Sequence, residues 1–208
     1  MMLGEVDRVD DHFIATKFVG LLLPVSSMYV TSVSSSYSGN RSTMTWSGVP
    51  VRFNFKSAAL AYPRVWLHFL AVAWPFITHW GQNVNAMTTK DWLPSIAMIA
   101  VGLLALIPGR LSEREKRRLR VLGSVTGLSL DPSKLQSFTR ETRLQFLEDT
   151  ARARGLPTTA EGCAAAAKDA PREALPLLYT LARYAGDTPA WRAAADAVLA
   201  RLEAPAAA

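Results

Sequence analysis

Two apolar stretches, residues 58–80 and 92–108, lie in close succession, and a basic cluster from Arg110 to Arg120 follows at once. No Asp, Glu, Lys or Arg falls between Val65 and Trp80 or between Trp92 and Gly109. A bilayer core of about 30 Å takes roughly 17–25 helical residues, a length that both stretches approach. The second also lacks the polar stripe of an ordinary surface helix. The sequence therefore predicts a two-helix transmembrane hairpin at 57–110, with 81–91 as an external loop.

The basic residues set its orientation. The loop has Lys90 beside Asp91, whereas Arg110, Arg114, Lys116, Arg117, Arg118 and Arg120 crowd the flank after the second stretch. Against Glu113 and Glu115 they leave +4 of the chain's net +6 in that one place. The positive-inside rule then puts both termini in the cytoplasm of a multi-pass bacterial inner-membrane protein. The same cluster suits anionic headgroups, each basic residue near a bilayer surface contributing about 1 kcal/mol. It has no interleaved aromatics to stack bases, so nucleic acid is not an expected partner.

On either side the patterning changes. Residues 1–56 read as a small β-rich segment, with short β-branched and aromatic runs at 12–17, 19–23, 27–33, 43–46 and 49–55. Val51, Phe53 and Phe55 alternate with polar residues, the period of a half-buried strand. Residues 32–38, with Gly39-Asn40, read as a turn or flexible loop. Residues 1–12 carry four acidic residues, the wrong sign for a signal peptide.

Residues 111–204 read as a cytoplasmic helical bundle, with 205–208 as a frayed tail. Ser112-x-x-Glu115 and Thr158-x-x-Glu161 are capping boxes. Asp131-Pro132 opens a helix to about Arg154, and Asp187/Thr188-Pro189 opens the last one. The expected fold class is thus an α+β membrane protein: β-rich segment, transmembrane hairpin, C-terminal bundle.

Candidate functional residues are few. Arg64, His68, Pro75 and His79 fall within about 60° of one another on a helix, so Arg64, His68 and His79 form an intramembrane polar face. His68 and His79 lie roughly 16 Å apart along such a helix and share no metal. Ser95, Gly102 and Gly109 recur every seven residues and offer a small-residue stripe for helix packing. Cys163, the single cysteine, precedes four alanines and reads as a small core residue. No nucleophile, phosphate-loop or dinucleotide motif is present, so neither an enzyme activity nor a metal or cofactor is expected.

The runs Phe13-Ile14-Ala15-Thr16-Lys17-Phe18 and Leu23-Pro24-Val25-Ser26-Ser27-Met28-Tyr29-Val30-Thr31 carry a resemblance, as do Gly48-Val49-Pro50 and Lys56-Ser57. They look like the opening of an uncharacterised group of bacterial inner-membrane proteins, in which a short β segment precedes hydrophobic helices. The resemblance covers the first third of the chain and transfers no functional residue. The expected role is a membrane anchor and interaction (adaptor) module, with a protein partner or self-association. The alternative is a transporter or channel subunit using the polar face of the first helix.

Overall fold

The computed structural model describes residues 2–20, 23–38, 41–78, 89–107 and 109–204. The chain divides into two units, Met1–Leu111 and Ser112–Ala208.

The first unit is built on a four-stranded antiparallel meander whose spatial order is the chain order. Its strands are β1 (Met2–Val9), β2 (His12–Val19), β3 (Leu23–Ser38) and β4 (Arg41–Val51). The register of β1 on β2 shifts twice, between Leu3 and Val6 and between Val6 and Val9. Gly4, Asp7 and Asp10 adopt positive φ along this stretch. Glycine and aspartate tolerate that region best, which is how a strand so rich in acids bends around its partner. The acidic start therefore forms a strand where the sequence suggested none.

Period-two alternation sorts β2 onto two faces. Ile14, Thr16 and Phe18 point to one side, where Phe18 meets Tyr62 edge-on with ring centroids 5.8 Å apart. Phe13 and Ala15 point to the other and join Val30, with Met2, Met28 and Trp46 packed around them. Beyond Thr31, β3 leaves β2 behind and pairs with β4 alone, from Ser32↔Ser47 to Ser38↔Arg41. The hydroxyl-rich stretch expected as a loop is thus one strand of a two-stranded arm. Phe18 and Val19 end β2, and Leu23, Pro24 and Val25 begin β3.

Helix α1 (Phe55–Thr78) follows. Asn54 caps it: Oδ1 accepts from the Ser57 amide at 2.9 Å, and its carbonyl accepts from Ala58 N. This cap ends the predicted strand at Val51, so Phe55 belongs to a helix. A buried hydroxyl chain ties the cap to the sheet. Asn54 N donates to Ser27 Oγ, which lies 3.1 Å from Thr16 Oγ1; Thr16 donates to Ser57 Oγ, and Ser57 donates to Gly4 O. A 3-10 turn (Thr89–Trp92) leads into α2 (Leu93–Leu104), which packs on α1.

These helices correct the predicted hairpin. Among the described residues no helix is long and apolar enough to cross a membrane. At 1.5 Å per residue α1 reaches about 36 Å, but Lys56, Arg64, His68, Pro63 and Pro75 lie inside it and dilute its apolarity. α2 has 12 residues, about 18 Å against the roughly 30 Å of a bilayer core. Its last turn tightens into i→i+3 bonds, Leu106 N to Leu103 O and Ile107 N to Leu104 O. The fold is accordingly α+β without a transmembrane hairpin. The multi-pass inner-membrane placement, with its cytoplasmic termini, falls with it. His79, Trp80 and most of the predicted external loop lie outside the described residues.

The second unit is helical: α3 (Glu113–Thr126), α4 (Ser137–Ala153), α5 (Ala160–Asp169), α6 (Leu175–Ala185) and α7 (Pro189–Glu203). Ser112 caps α3 by accepting from Glu115 N, and Gly127 closes it at φ +73°. Thr159, one residue later than the predicted box, caps α5, and Thr188 caps α7. Asp131 caps a 3-10 turn (Pro132–Lys134), and α4 begins only at Ser137. Helix α6 is buried on nearly every side, from Leu175 through Tyr184, as a central helix must be. The other four pack around it.

Cys163 lies in this core, its thiol donating to Pro157 O at 3.4 Å. Burial pushes its pKa up to about 11. Alkylation by iodoacetamide at pH 8 should therefore run about a hundredfold slower in the native chain than in urea. Equal rates, followed by mass spectrometry, would show that the thiol is not enclosed.

Candidate functional site

Of the predicted polar face Arg64 and His68 turn inward, while His79 lies outside the described residues. Arg64 Nε donates to Ala105 O at 2.9 Å, and Nη1 donates to Glu5 O, so one guanidinium links α1 to the end of α2 and to β1. His68 Nδ1 lies 3.0 Å from Arg64 O, one turn back on the same helix. The imidazole also fills the space above Gly102: a Cβ there would stand 2.5 Å from His68 Cε1. Arg64 and His68 thus hold the helix pair together.

The small residues divide. Ser95 and Gly102 are buried on α2, and among the described residues Ser95 Oγ has no hydrogen-bond partner. Gly109 lies past the helix, at φ +98°, where its carbonyl accepts from Asp7 N. A side chain at Gly109 would meet Val6 at 2.9 Å. It therefore serves the return of the chain to β1, and the seven-residue spacing that linked it to Ser95 and Gly102 is not a helical stripe.

The outer faces of the same pair are apolar and open. Phe69 (63% exposed), Val72 (66%) and Phe76 (53%) follow one another along α1, with Trp74 and Ile77 beside them. On α2 and just beyond it Leu93, Ile96 (58%), Val101, Leu103, Leu104 and Ile107 are likewise exposed. Half-exposed side chains of this size offer roughly 100 Å² each, so the outer faces of the two helices together expose on the order of 1,000 Å². A monomer's largest apolar patch is usually about 300–600 Å².

The basic cluster is divided, with Arg110 in the first unit and the others on α3 of the second, where helical geometry separates them. Arg110 precedes α3 and is exposed. Lys116 pairs with Glu113 at 2.7 Å on one side of α3, and Arg120 is exposed on that side. Arg114, Arg117, Arg118 and Val121, at i, i+3, i+4 and i+7, occupy another. With Leu199, Leu202 and Glu203 of α7 these four line an open groove of about 620 Å³. No sequence signal pairs α3 with α7, so this grouping was not legible in the cluster itself.

Among the described residues no group of three or more His, Cys, Asp or Glu side chains could hold a metal ion. Comparison with protein-family models, with curated proteins and with solved structures finds no match to this chain.

Proposed function

We propose that the chain is a protein-interaction (adaptor) module, with the α1–α2 pair of its first unit as the contact surface and a second copy as the surface's occupant. The observation that carries this reading is the apolar area left open on those helices. A stable interface buries about 800 Å² per partner, and the α1–α2 surface is of that size. Elsewhere in the unit the chain Asn54–Ser27–Thr16–Ser57–Gly4 matches buried polar groups to one another. The exposed residues along α1 repeat at i, i+3 and i+7, the spacing of one continuous strip. Arg64 and His68, engaged inside the pair, leave that strip uncharged.

Sedimentation velocity of the full chain, from nanomolar to tens of micromolar in detergent-free buffer, tests the reading. A dimer or larger oligomer is expected at the upper end. The triple variant Phe69→Ser, Val72→Asp, Phe76→Ser should weaken association at least about a hundredfold, since anchors of this kind dominate interfaces. Its unfolding midpoint at a concentration where both chains are monomeric should stay within a few degrees, because exposed substitutions change stability by about 0.5 kcal/mol or less. A parent chain that stays monomeric throughout the range would overturn the proposal.

A further inference from the structure

A second feature of the molecule, independent of the helix pair, has the attributes of a ligand site. The α3–α7 groove is lined by three arginines, Arg114, Arg117 and Arg118, and by three apolar side chains, Val121, Leu199 and Leu202. Its 620 Å³ falls within the roughly 300–1,000 Å³ of small-molecule sites. The charges are not balanced within the groove. Glu203 is its one carboxylate, and it stands 3.7 Å from Arg114 Nη2. No ion pair engages Arg117 or Arg118 among the described residues, and Arg118 Nε is buried without a hydrogen-bond partner. Arg117 and Arg118 thus line the groove without a counter-ion, and the natural partner of a guanidinium is a carboxylate or phosphate oxygen.

From these features we infer that the groove binds an organic anion with an apolar chain. The carboxylate or phosphate head meets Arg117 and Arg118, and the chain lies over Leu199 and Leu202. Arg114 remains with Glu203 and closes one end. An inorganic anion would satisfy the arginines and leave the apolar side chains uncovered. A neutral alcohol would cover the lining and leave the guanidinium groups unmatched. Only a molecule with both parts matches what the groove presents. The same head and tail occur in a free fatty acid or alkyl phosphate and in an anionic lipid, so the test separates these sources.

The full chain, methyl-labelled at leucine and valine, is titrated with octyl phosphate below its critical micelle concentration and followed by NMR. Saturable shifts at Val121, Leu199 and Leu202 are expected. Inorganic phosphate and octanol, each alone, should bind at least about tenfold more weakly. Arg118→Gln should weaken octyl phosphate about tenfold or more, the scale of a lost charged hydrogen bond. Because Arg118 is half-buried, the exposed Arg117→Gln serves as a second variant and should weaken binding in the same direction. Glu203→Gln should tighten it by removing the one like charge. Competition by phosphatidic acid vesicles assigns the ligand to a lipid, and an unaffected titration assigns it to a free amphiphile. Shifts that fail to saturate would overturn the assignment, as would equal affinity for inorganic phosphate or affinity unchanged in both Arg117→Gln and Arg118→Gln.

Discussion

Gly4→Ala is expected to unfold the first unit. Gly4 adopts φ +72°, and a Cβ built on it would lie 1.9 Å from Ser57 O and 2.8 Å from Ser57 C. The left-handed backbone alone costs an alanine about 1 kcal/mol. The overlap is with backbone, so no rotamer change relieves it; β1 and the first turn of α1 must separate. That separation also breaks the Ser57–Gly4 and Thr16–Ser57 bonds, two buried hydroxyl contacts, and leaves Thr16 Oγ1 with Ser27 alone. The combined loss should exceed about 4 kcal/mol, a large share of the roughly 5–15 kcal/mol that holds a domain folded. Hydrogen exchange read by mass spectrometry on the full chain should show protection lost across β1, β2 and α1 and retained in α6. Gly20→Ala is the control: φ is +61° but nothing lies within 4 Å of the new Cβ, so only the backbone cost of about 1 kcal/mol applies. If Gly4→Ala cost no more than Gly20→Ala, the close approach of β1 to α1 would be wrong.

The second large effect belongs to Asp131 and Arg183, which meet at 2.6 Å in the second unit. Burial alone would raise the Asp131 carboxyl, but side-chain and backbone hydrogen bonds from Ser133 and the Arg183 guanidinium outweigh it and hold the pKa below its ordinary value. A carboxyl depressed on folding stabilises the native state above its unfolded pKa of about 3.9, and that stability disappears as pH falls through the folded value. Asp131→Asn should therefore cost the second unit about 2 kcal/mol at pH 7, the full effect of breaking an enclosed pair being reduced by its partial exposure. The deficit should vanish in acid, at pH values below the folded pKa. Urea unfolding of the full chain at pH 7 and at stepped pH from 5 to 2, with hydrogen exchange assigning the transition to α6, checks both parts. A deficit that is the same at every pH would show that the pair is geometric and not electrostatic.

What was legible in the chain was what is local. Ser112 and Thr188 announce helix starts because a cap needs only a hydroxyl and an amide three residues on. Gly127 and Gly155 mark helix ends because left-handed backbone selects glycine. What was illegible depends on partners distant in sequence. Glu5 and Asp7 read only as charges of the wrong sign for a signal peptide until β2 supplies the ladder that makes them part of a strand. Phe55 continues an alternating pattern and nevertheless belongs to α1, because Asn54 caps the helix against Ser27 of another strand. The apolar runs around α1 and α2 read as bilayer spans, since hydropathy alone does not report where α2 ends or that Arg64 reaches Ala105 and Glu5. The basic cluster read as a membrane boundary, and only the tertiary fold, which brings α3 and α7 to one groove, gives half of it a common site.

The hydroxyl chain at the start of α1 also has a bearing on the order of events during synthesis. Its members come from β1, β2, β3 and the helix cap, so no two adjacent segments complete it. Ser57 is 41 residues from Thr16 and 53 from Gly4. Contacts of such range form late, after the intervening loops have closed. As the chain leaves the ribosome, the sheet must assemble before the helix has anywhere to dock, and the apolar strip on α1 then emerges already oriented.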